Sequence, residues 1–150
     1  MAADITVRYA EEPDLPYLQA NDELITEELL RRKLSAREIL VALQGDEPVG
    51  WLRFGLWWDN FPCMNLIAVE DEHQRQGIGK RLVEYWEGEM RAQGYRLVLT
   101  STDADGSAQH FHRKLGFRDA GCLLLPDAVF PEHTLEILLV KVLPSSESED

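Results

Sequence analysis

HQRQGIGKRLVEYW, residues 73–86, is the stretch on which the reading of this chain turns. Ile78, Leu82, Trp86 and Met90 recur every four residues, and Gly94 stands where a glycine closes a helix, so the spacing predicts a helix over 78–93. Just upstream, CMNLIAV (63–69) is a strand-like apolar run. Gly77 and Gly79 lie between the two, where the backbone turns tightly and lets a ligand approach closely. The free amides at the start of the helix point outward at its positive dipole end, which suits an anion such as a pyrophosphate. Arg75, Lys80 and Arg81 add charge at the rim. The plainer alternative is a glycine-rich helix start with solvated cations.

Two mononucleotide signatures fail here. A P-loop requires a glycine at 74 and Ser or Thr after the lysine, and the chain has Gln74 and Arg81. A dinucleotide fingerprint requires a third glycine at 82, which is Leu82. The pattern that remains is Gln74-x-x-Gly77-x-Gly79 between a strand and a helix.

Working outward, 150 residues suffice for one domain with a real core, expected over 1–143, followed by an acidic, disordered tail at 144–150. An apolar fraction of 45% with four tryptophans marks a folded chain. A net charge of −12 argues against nucleic acid and anionic membranes as partners. No signal peptide or membrane-length apolar run is seen, and Cys63 and Cys122 read as buried reduced thiols, which gives a cytoplasmic protein.

The remaining elements follow from period and punctuation. Ile5, Val7 and Tyr9 alternate as a strand, and EEPDLPYLQAND is a short helix. A second helix carries Ile25, Leu29, Leu30 and Leu34 on one stripe, with Asp22 as its expected N-cap. EILVALQ and PVGWLRFGLWW are strands about a GDE turn, and CMNLIAV follows as a third. YRLVLTS is a strand, and GSAQHFHRKLGF a helix between Ser107 and Gly116. RDAGCLLLP and LEILLVKVL close the chain as strands. The order β-α-α-β-β-β-α-β-α-β-β describes an α+β fold, a mixed sheet of about seven strands with helices on both faces. The strands on either side of the 78–93 helix should run parallel or splay apart.

AQHFHRKLGF (108–117), taken with Gln74-x-x-Gly77-x-Gly79 and this strand order, resembles the GCN5-related N-acetyltransferase (GNAT) family. The resemblance covers nearly the whole chain. It implies an acetyl-CoA-dependent enzyme that acetylates an amine of a small molecule or peptide by direct transfer in a ternary complex. Backbone groups of Ile67, Ala68 and Val69 would pair with the pantetheine amides as an added strand, and a Val69 amide would contact the oxyanion. Gln74, Arg75, Gln76, Gly77, Ile78, Gly79 and Lys80 would cradle the pyrophosphate. Asp105, Ala108, Phe111 and His112 would line the same molecule, with Asp105 where the family often has an asparagine. His112 falls where the family usually places a tyrosine. It is either the acid for the departing thiolate or a packed helix residue. The strand lacks the family's frequent glutamate, leaving Asp59 and Glu70 as the nearest carboxylates.

In the resembled family the acceptor lies by the first helices, the turn after the third strand and the last loop. Here that turn and loop bring Trp57, Trp58, Asp59, Phe61 and Phe130, with Glu132 nearby, an aromatic wall suited to a cationic amine. The alternative places Trp57 in the core and Trp58 at the sheet edge. Acetyl-CoA is the co-substrate; no metal is expected, because His110 and His112 face different sides of a helix. A homodimer is compatible with the reading. The competing function is a non-catalytic acyl-CoA-binding or sensing module.

Overall fold

A computed structural model describes residues 4–145; the tail expected at 144–150 lies, from 146 onward, outside the described residues. Its centre is built by β2 (Ile39–Gln44) and β3 (Glu47–Trp57), joined at Gly45 with φ +62. They pair antiparallel, Val41 with Trp51 and Leu40 with Leu52. Residues 39–43 are all buried. A strand covered on both faces reads as an unbroken apolar run, which is how this one looks in the sequence. On one face Ile39, Val41 and Trp51 pack with Leu15 and Leu18 of α1 (Leu15–Asn21) and Leu30 of α2 (Glu27–Ser35). Phe54 has the opposite parity, and its ring lies 5.8 Å from Trp86 of α3 (Ile78–Ala92). Helices therefore cover both faces here, as expected. β1 (Ile5–Tyr9) adds to β2, antiparallel.

Two expectations for α2 change. Its N-cap is Thr26, whose side chain accepts from the Leu29 amide, and Asp22 is buried elsewhere. Leu29, placed on the apolar stripe, is exposed, because it points about 100° round the helix from the buried Leu30.

The described chain forms two compact units, Met1–Gly55 with Leu66–Gly88, and Leu56–Asn65 with Glu89–Asp150. The second holds the first half of β4 (Phe61–Val69), which runs parallel to β5 (Leu97–Asp103), as the intervening helix requires. The pairing comprises Cys63 with Leu99 and Met64 with Thr100. The Thr100 hydroxyl donates to the Met64 carbonyl at 3.1 Å. α4 (Ala108–Lys114) ends at Gly116, φ +96. β7 (Leu135–Val142) inserts between β5 and β6 (Arg118–Leu124), antiparallel to both. Among the described residues the seven strands run in the order β1-β2-β3-β4-β5-β7-β6, a mixed sheet with four α-helices. Every residue of β6 is exposed, so the Cys122 thiol is exposed and not buried as expected. Cys63 is half-buried, and burial pushes its thiol up to about 11. Among the described residues no helix is long and apolar enough to cross a membrane.

Candidate functional site

The glycine loop is built as a left-handed turn followed by a helix start. Gly77 has φ +80 and open space where a Cβ would sit, so the conformation, not crowding, requires glycine. Arg75 also has positive φ (+65), a strain no glycine in the sequence announces. Backbone concavities of this kind present amides to anions. The Arg81 amide closes the first helical turn on the Gly77 carbonyl at 3.0 Å. The amides of Ile78, Gly79 and Lys80 precede that bond and have no carbonyl to meet inside the helix. Ile78 is buried and anchors the helix start, while residues 74–77 are exposed.

Gln74 ties this loop to β4, its side-chain amide donating to the Val69 carbonyl at 3.1 Å and to Asp71 at 3.2 Å. Two of the three rim cations are engaged: Arg81 donates to the Ile5 carbonyl at 2.7 Å, and the Lys80 ammonium lies 3.7 Å from Glu84.

The end of β4 holds Ile67, Ala68 and Val69, all half-buried. A Cβ on Gly50 would lie 2.8 Å from the Ala68 carbonyl oxygen and 3.4 Å from the Val69 Cα. Gly50 thus lets β3 pass close to this segment, a role that sequence reasoning missed. Glu70 follows; its amide donates to the Val49 carbonyl, and its carboxylate accepts from the Tyr17 hydroxyl at 2.9 Å. Burial and Glu70 hold the Tyr17 phenol protonated, well above its ordinary value. Tyr17 belongs to α1 and is 53 residues away in sequence, so no local signal could have paired them.

In the second unit, His112 is only 3% exposed and sits edge-on to Phe111 and Phe117. Its Nδ1 is buried without a hydrogen-bond partner among the described residues. Burial pushes the imidazole down to about 4, so the ring is neutral near pH 7. The imidazolium considered as an acid is therefore not the resting form near pH 7. Asp105 and Ala108 are exposed, Phe111 is half-buried, and the Asp105 amide donates to Asp103 at 2.9 Å.

The acceptor candidates are only partly gathered. Trp57 and Trp58 meet at 5.8 Å and Trp58 meets Phe61 at 6.5 Å, with Trp58 74% exposed. Trp58 and Asp59 both have positive φ at the hairpin tip, so Asp59 is a turn residue. Phe130 packs instead against His133 at 6.4 Å; among the described residues no ring contact joins it to the tryptophans. His133 touches carboxylates of Asp103 and Glu136, neither singled out from the sequence.

A strand end and a glycine loop lead into a helix start on a mixed sheet of this order. The Acetyltransferase (GNAT) family profile matches residues 3–117, and the chain belongs to that family. It is 28% identical over 91 residues to the L-amino acid N-acyltransferase MnaT of Escherichia coli, covering 57% of this chain and 53% of that protein. The chain thus spans about half the length of the curated relative it matches. The fold superimposes on Ard1 from Thermoplasma volcanium with TM-score 0.81 at 18% identity, covering 97% and 100% of the two chains. The ribosomal-protein-alanine N-acetyltransferase of Brucella melitensis gives 0.78 at 23% identity, covering 92% and 99%. The N-acetylglutamate synthase of Neisseria gonorrhoeae, solved with coenzyme A and N-acetyl-glutamate, gives 0.77 at 18% identity, covering 96% of this chain and 36% of that one.

Proposed function

We propose that this protein transfers an acetyl group from acetyl-CoA to an amine in a ternary complex. The observation that carries the reading is the left-handed Arg75–Gly77 loop, coupled through Gln74 to the Val69 carbonyl. It joins an amide-rich anion cradle to a strand end in one piece, which is what a pyrophosphate and its amide-bearing arm require. The residues fit that ligand: residues 74–77 are exposed, and Gly50 lets β3 pass close beside Ala68, where a Cβ would meet its carbonyl oxygen. Bound, acetyl-CoA supplies an activated acyl thioester.

The chain's own groups then do the following. Amides from Arg75 to Lys80 hold the pyrophosphate, while Ile67, Ala68 and Val69 pair with the pantetheine amides and the Val69 amide faces the acyl oxygen. By the family resemblance Asp105, Ala108, Phe111 and His112 are assigned to the same ligand. His112, neutral and apolar in its surroundings, packs against Phe111 and Phe117, and solvent supplies the proton that the leaving thiolate takes up. Glu70 accepts the amine proton, its carboxylate oriented by the Tyr17 hydroxyl. Trp57, Trp58 and Phe61, in ring contact around the Asp59 turn, form one part of the acceptor surface, and Phe130 on the 125–134 loop forms a separate part. The similarity to an L-amino acid N-acyltransferase supports an α-amine as the first acceptor to test. Cytoplasmic residence and a homodimer belong to the same reading, and the free Cys63 and Cys122 thiols suit a reducing compartment.

Coenzyme A should raise the melting temperature of the full chain. At a hundredfold excess over Kd the stabilisation is about 2.7 kcal/mol, on the order of 5–10 °C at this size. Gly77→Val should remove most of that shift, while destabilising the free protein by roughly 1–2 kcal/mol through its positive φ. No shift for the unmodified protein at millimolar coenzyme A would remove the assignment.

A further inference from the structure

The loop between β6 and β7 ends on a histidine held from two strands. The His133 Nδ1 lies 2.9 Å from an Asp103 carboxylate oxygen at the end of β5, and Nε2 lies 2.9 Å from Glu136 near the start of β7. Glu136 is itself fixed, its other oxygen accepting from the Ser101 hydroxyl at 2.7 Å. Asp103 is fixed by the Asp105 amide at 2.9 Å. Carboxylates only accept hydrogen bonds, so both ring nitrogens must carry protons for both contacts to form. A neutral imidazole carries one. The geometry therefore calls for an imidazolium. Two strands close on it, the Leu125 amide donates to the Thr134 carbonyl at 2.8 Å, and the Phe130 ring rests on the histidine.

We infer that His133 is a positioning residue whose charged ring clasps the 125–134 loop to β5 and β7 and so sets where Phe130 stands on the acceptor surface. This rests on the acetyl-transfer reading for its consequence in turnover, but the clasp itself does not. The groups facing the ring are Asp103 from β5, Glu136 from β7 with Ser101 behind it, and the Phe130 ring of the loop; the exposed Asp127 and Glu132 carry further negative charge along the loop. The Glu136 hydrogen bond, then that of Asp103, raises the histidine above its ordinary 6.5. The sign follows: the clasp is complete below 6.5 and loosens as pH rises through the elevated value, when one contact becomes lone pair against lone pair. Phe130 then loses its support without any change in the glycine loop.

The test uses the full chain and three readouts. Nitrogen-15 ring spectra should show His133 doubly protonated at pH 6.5, with a midpoint above that of a free histidine. Thermolysin should cut before Val129 or Phe130 several-fold faster in His133→Gln and in Asp103→Asn than in the parent at the same pH. With an accepted amine, His133→Gln should raise the acceptor KM several-fold while kcat and the coenzyme A melting shift stay near the parent values. A singly protonated ring at pH 6.5, or unchanged cleavage in both variants, overturns the clasp. A sound clasp with unchanged acceptor KM in His133→Gln overturns the positioning role. Ring spectra and cleavage as expected with no thiol release for any amine would instead fault acetyl transfer and sustain the clasp.

Discussion

Asp22→Ala should destabilise the protein by about 3–5 kcal/mol, the cost of removing one partner from a buried ion pair. Asp22 and Arg53 are 4% and 7% exposed, and the Arg53 Nε lies 2.7 Å from the carboxylate. The same oxygen accepts from the Trp51 indole at 3.2 Å, and the other accepts from the Leu24 amide at 3.2 Å. Without the carboxylate, a guanidinium and an indole N–H are left in the interior, and the segment between α1 and α2 loses its anchor. At this chain length the melting temperature should fall by roughly 10 °C. Asp22→Ala combined with Arg53→Met should recover most of the loss, because the orphaned charge goes with its partner. Denaturant unfolding of the two variants settles it: a loss below about 1 kcal/mol for Asp22→Ala would mean the pair is solvated.

The second large effect is on pH dependence. Burial holds His112 at about 4 in the folded chain, against an ordinary 6.5. Between those values the unfolded chain binds a proton that the folded one refuses, so stability rises with pH across that window. Read downward, about 3 kcal/mol should be lost from pH 6.5 to 4, at 1.36 kcal/mol per unit. Asp14, Asp103 and Asp119 are held below the ordinary 3.8 by their hydrogen bonds and ion pairs, so their contribution is lost mainly below that value and adds to the decline only near pH 4. His133 acts oppositely and above 6.5. Urea unfolding at pH 7, 5.5 and 4 should show the decline, and His112→Phe should flatten it. A variant with the same slope as the parent would place the titration elsewhere.

What could be read from the sequence was what local periodicity encodes. The 78–93 helix, the strand pair about Gly45 and the parallel step from β4 to β5 follow from apolar spacing and from the geometry of a crossover. The glycine loop was legible because Gly77 needs its left-handed φ. The Arg75 strain was not, since any residue can be forced there by its neighbours. Asp22 misled because an acidic residue before an apolar stripe resembles a cap, whereas its partner Arg53 lies 31 residues on. Tyr17 with Glu70, Gly50 beside Ala68, and β7 slipping between β5 and β6 all depend on tertiary placement. His133 and Glu136 stand three apart, a spacing that means something on a helix, but here one is in a loop and the other in a strand. The expected cofactor residues came from the family resemblance, and the contacts of Glu70, His112 and His133 came only with tertiary structure.

Amine-dependent release of the coenzyme A thiol from acetyl-CoA tests the central claim most directly, with mass detection of the acetylated product. The panel should run from free amino acids and peptide N-termini to polyamines and aminoglycosides. Acetyl transfer predicts at least one amine that releases thiol and gains 42 Da in equal amounts, about 42 Da being one acetyl in place of one proton. It also predicts that Glu70→Gln lowers kcat well beyond its effect on the coenzyme A melting shift. Full coenzyme A binding with no release above blank for any amine would contradict it and leave a binding module in its place.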